Sequence, residues 1–334
     1  MTADDRTGAF EVAALLAAAG SPVAVSTYPD LSGEVVDLAS RYMSPTEASS
    51  RAAVLPDRVA IGSTWCAHKI DSMLRGNWAD EVRSRAIALG RPALLVPAWP
   101  AMGRTCRGGV VHVHGEPIGS VLDRVPGAAH LRTADEVVAW CAGAGSRLVG
   151  AAHAGGIAVA DVADDDAFGA VAAAVANSAV VVAGPAGAVG AVHGARVGRP
   201  VPAAPPVADG AVAVVCGSAS PVAHRQLARL RAALPHVPIC AAPAPGGTAV
   251  EAAHALDVAR RARPLLETCA ALVVVGGDTA ASLLGDAVRL VGGFAAPGMP
   301  WSVSGSGNGP LVVTKAGAFG GDEALVEVVR LFAG

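Results

Sequence analysis

ALVVVGGDTAASLLGDAVRLV, residues 271–291, decides the fold. A short apolar run rich in valine ends in two glycines, and a segment with helical character follows at once. That order of strand, glycine turn and helix start is the repeating unit of an α/β domain. It also points backbone N–H groups and the positive end of a helix dipole at whatever lies beyond the strand, an arrangement suited to phosphate. The helix is expected to run from the GGDTAAS turn through SLLGDAVRLV.

The same reading works outward along the chain. Short β-branched runs recur at VAVST (23–27), ALLVPA (93–98), VVVAG (180–184), AVAVVCG (211–217) and LVVT (311–314). Each ends in small or turn-forming residues, the pattern of buried parallel strands carrying functional loops at their C-terminal ends. The expected fold is therefore α/β, with two domains, each a mostly parallel sheet flanked by helices, and the active site in the cleft between them. GRPVPAAPPVADG (198–210) is too proline-dense for a helix or a central strand. It is the expected linker between a first domain, 1–197, and a second, 211–334.

Composition narrows the function. The 334 residues are 52% hydrophobic and 16% charged with net charge -3, which excludes a disordered chain and argues against nucleic acid or a membrane surface as partner. The 26 residues from Ala167 to Val192 carry no charge, but Asn177, Ser178 and GPAGAVG interrupt them; they read as a buried helix, a strand and a glycine-rich loop rather than a membrane span. Six scattered cysteines without C-x-x-C spacing fit reduced thiols. With an acidic start and no basic n-region, a cytoplasmic location is expected. No metal site is expected: His112 and His114 share one face of a strand but lack a third ligand.

Of 25 Lys and Arg residues, lysine occurs only at Lys69 and Lys315. In so arginine-rich a background, these two mark positions where a compact ammonium is wanted instead of a planar fork. Lys69 opens KIDSMLRGN, which gathers Asp71, Ser72, Arg75 and Asn77: a cluster of both signs suited to a small anionic polyhydroxylated ligand, or else a capped helix. Arg104, Thr105 and Arg107 with Gly108–Gly109 form either an anion-holding turn or an ordinary hairpin. CGSAS (216–220), GGDTAAS (276–282) and the glycines after Lys315 make three phosphate-compatible loops in one short domain. None is a Walker A or a dinucleotide fingerprint, which argues against an oxidoreductase. Asp4 and Asp5 stand at a helix start preceded by too few residues for a strand.

With ADDRTGA, KIDSMLRGN, VPAWPAMGRTCRGG, AGPAGAVGA, CGSASPVAHRQL, VVVGGDTAAS, APGMPW and KAGAFGG in order from residue 3 to 321, the chain resembles the four-carbon acid sugar kinase family. The resemblance implies an ATP-dependent kinase acting on a tetronate such as 3-oxo-tetronate, erythronate or threonate, with Mg²⁺. It implies a sugar-acid site at Asp4, Asp5, Lys69, Asp71, Arg75 and Asn77, with Asp5 or Asp71 taking the hydroxyl proton and Lys69 (or Lys315) neutralising charge. ATP would lie on Ser218, Gly276, Gly277, Asp278, Thr279 and Gly317. The expected partners are these two small molecules, with a homodimer as the assembly. Three departures stand out: Asp278 in place of the usual Glu, Pro185 in place of a Ser, and YPDLSGEV where D-T-x-S-R is usual, leaving no Arg after Ser32. The altered loop and the absent Arg support an alternative reading, a non-catalytic sensor of a sugar acid or nucleotide.

Overall fold

The structure, a computed structural model, describes residues 1–54, 66–143, 156–243 and 251–332. In chain order the strands begin with β1 (Thr2–Ala3), β2 (Val23–Thr27), β3 (Val35–Asp37), β4 (Cys66–Lys69) and β5 (Ala93–Leu95). Next come β6 (Arg104–Arg107), β7 (Val110–Val113), β8 (Glu116–Ser120), β9 (Ala129–Leu131), β10 (Ile157–Ala160) and β11 (Val181–Gly184). The chain continues with β12 (Val212–Cys216), β13 (Ile239–Ala241), β14 (Ala271–Val275), β15 (Arg289–Ala296), β16 (Met299–Ser304) and β17 (Leu311–Lys315).

The fold is α/β, and the chain forms two compact units: Met1–Leu16 with Val35–Pro200, and Ala17–Glu34 with Val201–Gly334. In the first unit the sheet order is β3-β1-β4-β11-β5-β10-β9, with every neighbouring pair parallel. β5, β10 and β11 are buried, as their uninterrupted apolar runs require, and β4 is buried with its His68 and Lys69 included. Register brings Asp37, Ala3, Lys69 and Gly184 abreast, so the residues just beyond them leave the sheet along one edge. A small antiparallel sheet, β6-β7-β8, completes this unit.

Thr2–Ala3 is a strand after all. Two residues suffice because both neighbours hold them: Val36 N–H donates to the Met1 carbonyl, Leu38 N–H to Ala3, and Asp4 N–H to Lys69. The expected loop after β11 is instead the helix Ala186–Val197, which starts directly behind Pro185; proline is at ease just ahead of a helix because its φ is already helical. His112 lies on β7, but His114 falls in the turn at φ 51, so the two do not share a strand face.

The second unit is a mixed sheet, unlike the mostly parallel one expected. β13-β12-β14-β17 are parallel, whereas β16, β15 and β2 continue the order antiparallel. Ala17–Glu34 therefore belongs here and not in a contiguous domain 1–197, because β2 pairs with β15. The proline-rich segment is irregular, but it is docked rather than free. Ala19 N–H donates to the Val201 carbonyl, and the Trp301 indole N–H donates to that of Ala203 at 3.3 Å. The expected helix through residue 291 stops at Leu284, where Gly285 takes φ 59, and Arg289–Val291 turn into β15.

Close backbone approach makes Gly184, at the end of β11, irreplaceable. A Cβ there would lie 2.5 Å from the Val96 carbonyl oxygen and 2.8 Å from Ala188 Cβ, neither able to swing aside. Gly184→Ala is expected to destabilise the protein by about 1–3 kcal/mol, read as a lowered melting temperature; an unchanged transition would contradict this packing.

Candidate functional site

Asp4 and Asp5 follow β1, Lys69 ends β4, and Asp71 lies two residues beyond it, so the parallel register delivers all four to one edge. At their centre stands Arg41, which follows β3. Its guanidinium donates to Asp4 Oδ2 from Nε and to Asp5 Oδ2 from Nη1, both at 2.8 Å, and its Nη2 lies 3.2 Å from Asp71 Oδ1. The Lys69 ammonium lies 3.5 Å from Asp4 Oδ1 and from Asp5 Oδ1. Arg75 grips Asp71 with Nε and Nη2, each at 2.9 Å. Three aspartates and three cations thus share one partly closed network.

The flanking residues serve this network. Thr7 Oγ1 donates to Asp5 Oδ2 and Gly8 N–H to Asp5 Oδ1, so Asp5 caps the helix Arg6–Leu16 and binds cations with the same carboxylate. Gly8 has no room for a side chain because the Lys69 ammonium occupies the space a Cβ would take. Asn77 donates its side-chain amide to the Met43 carbonyl at 2.8 Å, fastening the segment that carries Arg41. Below the edge, the Thr2 hydroxyl meets His68 Nδ1 at 2.9 Å and His68 Nε2 meets Glu81 at 3.0 Å. This buried chain bolts β1, β4 and the helix Trp78–Leu89 together.

Burial works against the charge on Asp5 and Asp71, yet the cations win. The Lys69 ammonium and the Arg41 guanidinium hold the Asp5 carboxyl well below the usual carboxylate range. Hydrogen bonds from Arg75, with Arg41 nearby, bring Asp71 down to about 2. Asp4 is the deepest of the three; burial pushes it up, and its Oδ1 faces the Lys69 ammonium without a hydrogen bond. Burial also pushes up Glu11 and lowers Arg104, which sit near the same charges. Arg104 donates from Nη1 to the Met102 carbonyl, and its Nε is buried without a partner.

Two expectations change. No arginine stands just after Ser32, but Arg41 ends DLASR (37–41), a D-x-x-S-R sequence that begins seven residues after Asp30. Leu38 replaces the usual threonine there. The glycine turn after β6 does not await an outside anion, because Gly108 and Gly109 both donate N–H to the Asp161 carboxylate, at 2.8 and 2.9 Å. It is a hairpin closed by the protein's own carboxylate, which His130 also approaches at 3.1 Å.

In the second unit Cys216, Val275 and Lys315 are abreast at the ends of β12, β14 and β17. The three loops beyond them meet. Gly217 N–H donates to the Thr279 hydroxyl at 3.1 Å, Gly276 N–H donates to the Lys315 carbonyl at 2.8 Å, and Gly317 abuts the Ser218 hydroxyl too closely for any side chain. The helices Pro221–Ala233 and Gly277–Leu284 begin here, and neither has a side-chain cap. Ser218, Gly276, Gly277, Asp278, Thr279 and Gly317 therefore converge, in a unit separate from the aspartate network. Among the described residues no group of three or more His, Cys, Asp or Glu side chains could hold a metal ion, and no helix is long and apolar enough to cross a membrane.

Residues 1–131 match the family model of a sugar-binding N-terminal domain. Over 124 residues the chain is 40% identical to a D-threonate kinase of Cupriavidus necator, covering 35% of this chain and 30% of that protein. Over 132 residues it is 31% identical to a D-threonate kinase of Bordetella bronchiseptica, covering 35% and 33%. These matches agree with the resemblance to the four-carbon acid sugar kinase family over the first third of the chain. The chain spans about a third of the length of the curated relatives it matches. The crystal structure of a Haemophilus influenzae protein of the DUF1537 family shares the fold, with a TM-score of 0.69 at 19% identity over 99% of both chains. The aspartate network lies inside the segment that matches the sugar-binding N-terminal domain.

Arg41→Met leaves three buried carboxylates short of a cation and is expected to cost on the order of 3–5 kcal/mol, read by denaturant unfolding; a loss below 1 kcal/mol would refute the central role of Arg41. Asp71 has a pH signature. Its carboxyl falls from 3.8 to about 2 on folding, so its contribution is complete above pH 3.8 and is lost as pH drops through 2. The gap in melting temperature between wild type and Asp71→Asn should therefore be constant above pH 4 and shrink towards pH 2. A gap independent of pH over that range would contradict the pairing.

Proposed function

We propose that the protein phosphorylates a hydroxyl of a four-carbon sugar acid, with ATP as donor and Mg²⁺ as the accompanying ion. One observation carries this reading: a buried network of Asp4, Asp5, Lys69, Asp71, Arg75 and Arg41 at the strand ends of a unit that matches a sugar-binding domain. Carboxylates accept from sugar hydroxyls, and guanidinium forks take carboxylates, so the residue types suit an acid sugar. The names of the relatives favour threonate within that class.

Asp5, with 16% of its side chain exposed against 2% for Asp4, is the member of the pair that meets the acceptor hydroxyl. A strongly acidic carboxylate is a weak base, but phosphoryl transfer through a loose transition state asks mainly for orientation of the nucleophile. The Lys69 ammonium supplies positive charge beside that hydroxyl. Arg41 is committed to three aspartates and Arg75 to one, so Arg104, with no carboxylate partner among the described residues, is left to take the carboxylate of the sugar acid.

The loops at Ser218, Gly276–Thr279 and Gly317 suit ATP phosphates, through two uncapped helix starts and glycines that admit close approach. Mg²⁺ keeps most of its shell from phosphate and water and needs only one or two carboxylates, a demand that Asp278 at this edge fits. When bound, the ion would neutralise phosphate charge. The sensor reading loses one of its two grounds, since Arg41 fills the arginine position.

The experiment is ADP release by the purified protein with Mg²⁺, ATP and a panel of tetronates. Turnover is expected with at least one, falling on the order of 10²-fold or more in Asp5→Asn. Release no faster than that of an Asp5→Asn, Asp71→Asn double variant for every tetronate would overturn the kinase reading, and melting shifts without turnover would favour the sensor. Arg104→Met should raise KM for the tetronate about tenfold, the effect of losing one charged hydrogen-bond partner, and leave KM for ATP unchanged. An unchanged tetronate KM would remove Arg104 from the carboxylate role.

A further inference from the structure

Glu11 stands beside the aspartate network, and the network does not use it. It lies in the helix Arg6–Leu16, three residues after Gly8 and so one turn further along the same face. That face looks at Lys69, whose ammonium occupies the space a Gly8 Cβ would take. Burial pushes the Glu11 carboxyl up from the ordinary glutamate value, Lys69 and Arg104 pull it down, and Asp5 pushes it up. Among the described residues its side chain makes no hydrogen bond and no ion pair. The aspartates nearby are different, since each is gripped by at least one guanidinium.

Packing fixes what lies on the far side of Glu11. A Cβ on Gly190 would lie 3.0 Å from Leu15 Cβ, so the helices Arg6–Leu16 and Ala186–Val197 touch there. Both follow strands of one parallel sheet and run back from the same edge, hence side by side in one direction. One turn nearer that edge the facing residues become Glu11 and Gly187. The Trp99 ring fills the space where a Gly187 Cβ would stand. Trp99 in turn is paired with Arg104: its N–H donates to the Arg104 carbonyl at 2.9 Å, and Arg104 N–H donates back at 3.1 Å. Glu11 therefore stands between the Asp5–Lys69 end of the site and the strand start that carries Arg104, all within the first unit.

We infer that Glu11 is a specificity-determining residue, its carboxyl taking a hydroxyl on the carbon chain between the carboxylate of the acid sugar and its acceptor hydroxyl. The inference rests on the sugar-acid reading above, which sets the carboxylate at Arg104 and the acceptor hydroxyl at Asp5. A carboxyl accepts from a hydroxyl in either protonation state. A site built around such a bond rejects the analogue that lacks the hydroxyl, because the protein's polar group is then left unpaired. Glu11 accordingly selects hydroxylated acids over plain hydroxyalkyl carboxylates of the same length.

The test titrates the full chain by ligand-observed NMR with threonate, erythronate and 4-hydroxybutanoate. The last keeps the carboxylate and the terminal hydroxyl but has no inner hydroxyls. Wild type is expected to prefer the better-bound tetronate by about tenfold or more, the effect of one hydrogen bond to a charged group. Glu11→Ala should weaken the tetronate alone and remove most of that preference, with Glu11→Gln, whose amide oxygen still accepts, in between. Neither variant should melt below wild type, because Glu11 has no partner to lose. The inference is overturned if Glu11→Ala weakens all three acids alike, as a residue acting only through Arg104 would. It is overturned equally if the preference survives in Glu11→Ala, if wild type binds neither tetronate, or if Glu11→Gln melts lower. Selective binding that depends on Glu11, without turnover, would overturn the kinase reading and leave this role standing. Turnover with a tetronate KM unchanged in Glu11→Ala would do the reverse.

Discussion

The guanidinium of Arg41 lies between Asp4, Asp5 and Asp71, and the chemistry available to the first unit depends on that contact. Three carboxylates gathered at one sheet edge and largely out of water would repel one another and take up protons. Arg41, with Lys69 and Arg75, balances three negative charges with three positive ones and keeps Asp5 and Asp71 ionised. A buried ion cluster is weak evidence of stability, because each ion must first lose its water. Its value lies in position: it ties together segments that start at residues 4, 41 and 69, fixing the ends of three strands relative to one another. Around it, the Arg6–Asp37 pair at 2.8 Å and the Thr2–His68–Glu81 chain hold the same strands from below.

The central parallel strands were legible in the sequence because a parallel strand buried on both faces must be a continuous apolar run. Val181–Gly184, Val212–Cys216 and Ala271–Val275 fall within the runs that announce them. Direction was not legible. VAVST looks the same whether it pairs parallel or antiparallel, and only β15, more than 260 residues away, makes it antiparallel and moves Ala17–Glu34 into the second unit. Thr2–Ala3 was invisible for a related reason: a strand this short is made by its neighbours and not by its own propensity. The end of the helix after GGDT was missed because Gly285 breaks a pattern whose apolar spacing otherwise continues into β15.

The site was legible in part. Asp4, Asp5, Lys69, Asp71 and Arg75 come together as their residue types suggested, while Arg41 was overlooked. A D-x-x-S-R spacing was present at Asp37–Arg41, but Leu38 in place of threonine disguised it, and YPDLSGEV offered a decoy a few residues upstream. Asn77 carries the opposite lesson. Its amide suits a sugar hydroxyl, but in the fold it is spent on the Met43 carbonyl, and no local pattern could foretell a partner 34 positions away.

Glycine turns beside strand ends are chemically alike, and the charge folded against each decides its use. At Gly108–Gly109 the chain supplies Asp161, so the N–H groups of that turn are already satisfied and the loop is structural. At Gly217 and Gly276 the N–H groups are likewise taken, by the Thr279 hydroxyl and the Lys315 carbonyl, but the charge folded against those turns is a buried cation, Lys315. The first turn is closed by a carboxylate of the chain itself, whereas among the described residues no carboxylate pairs with Lys315 beside the second.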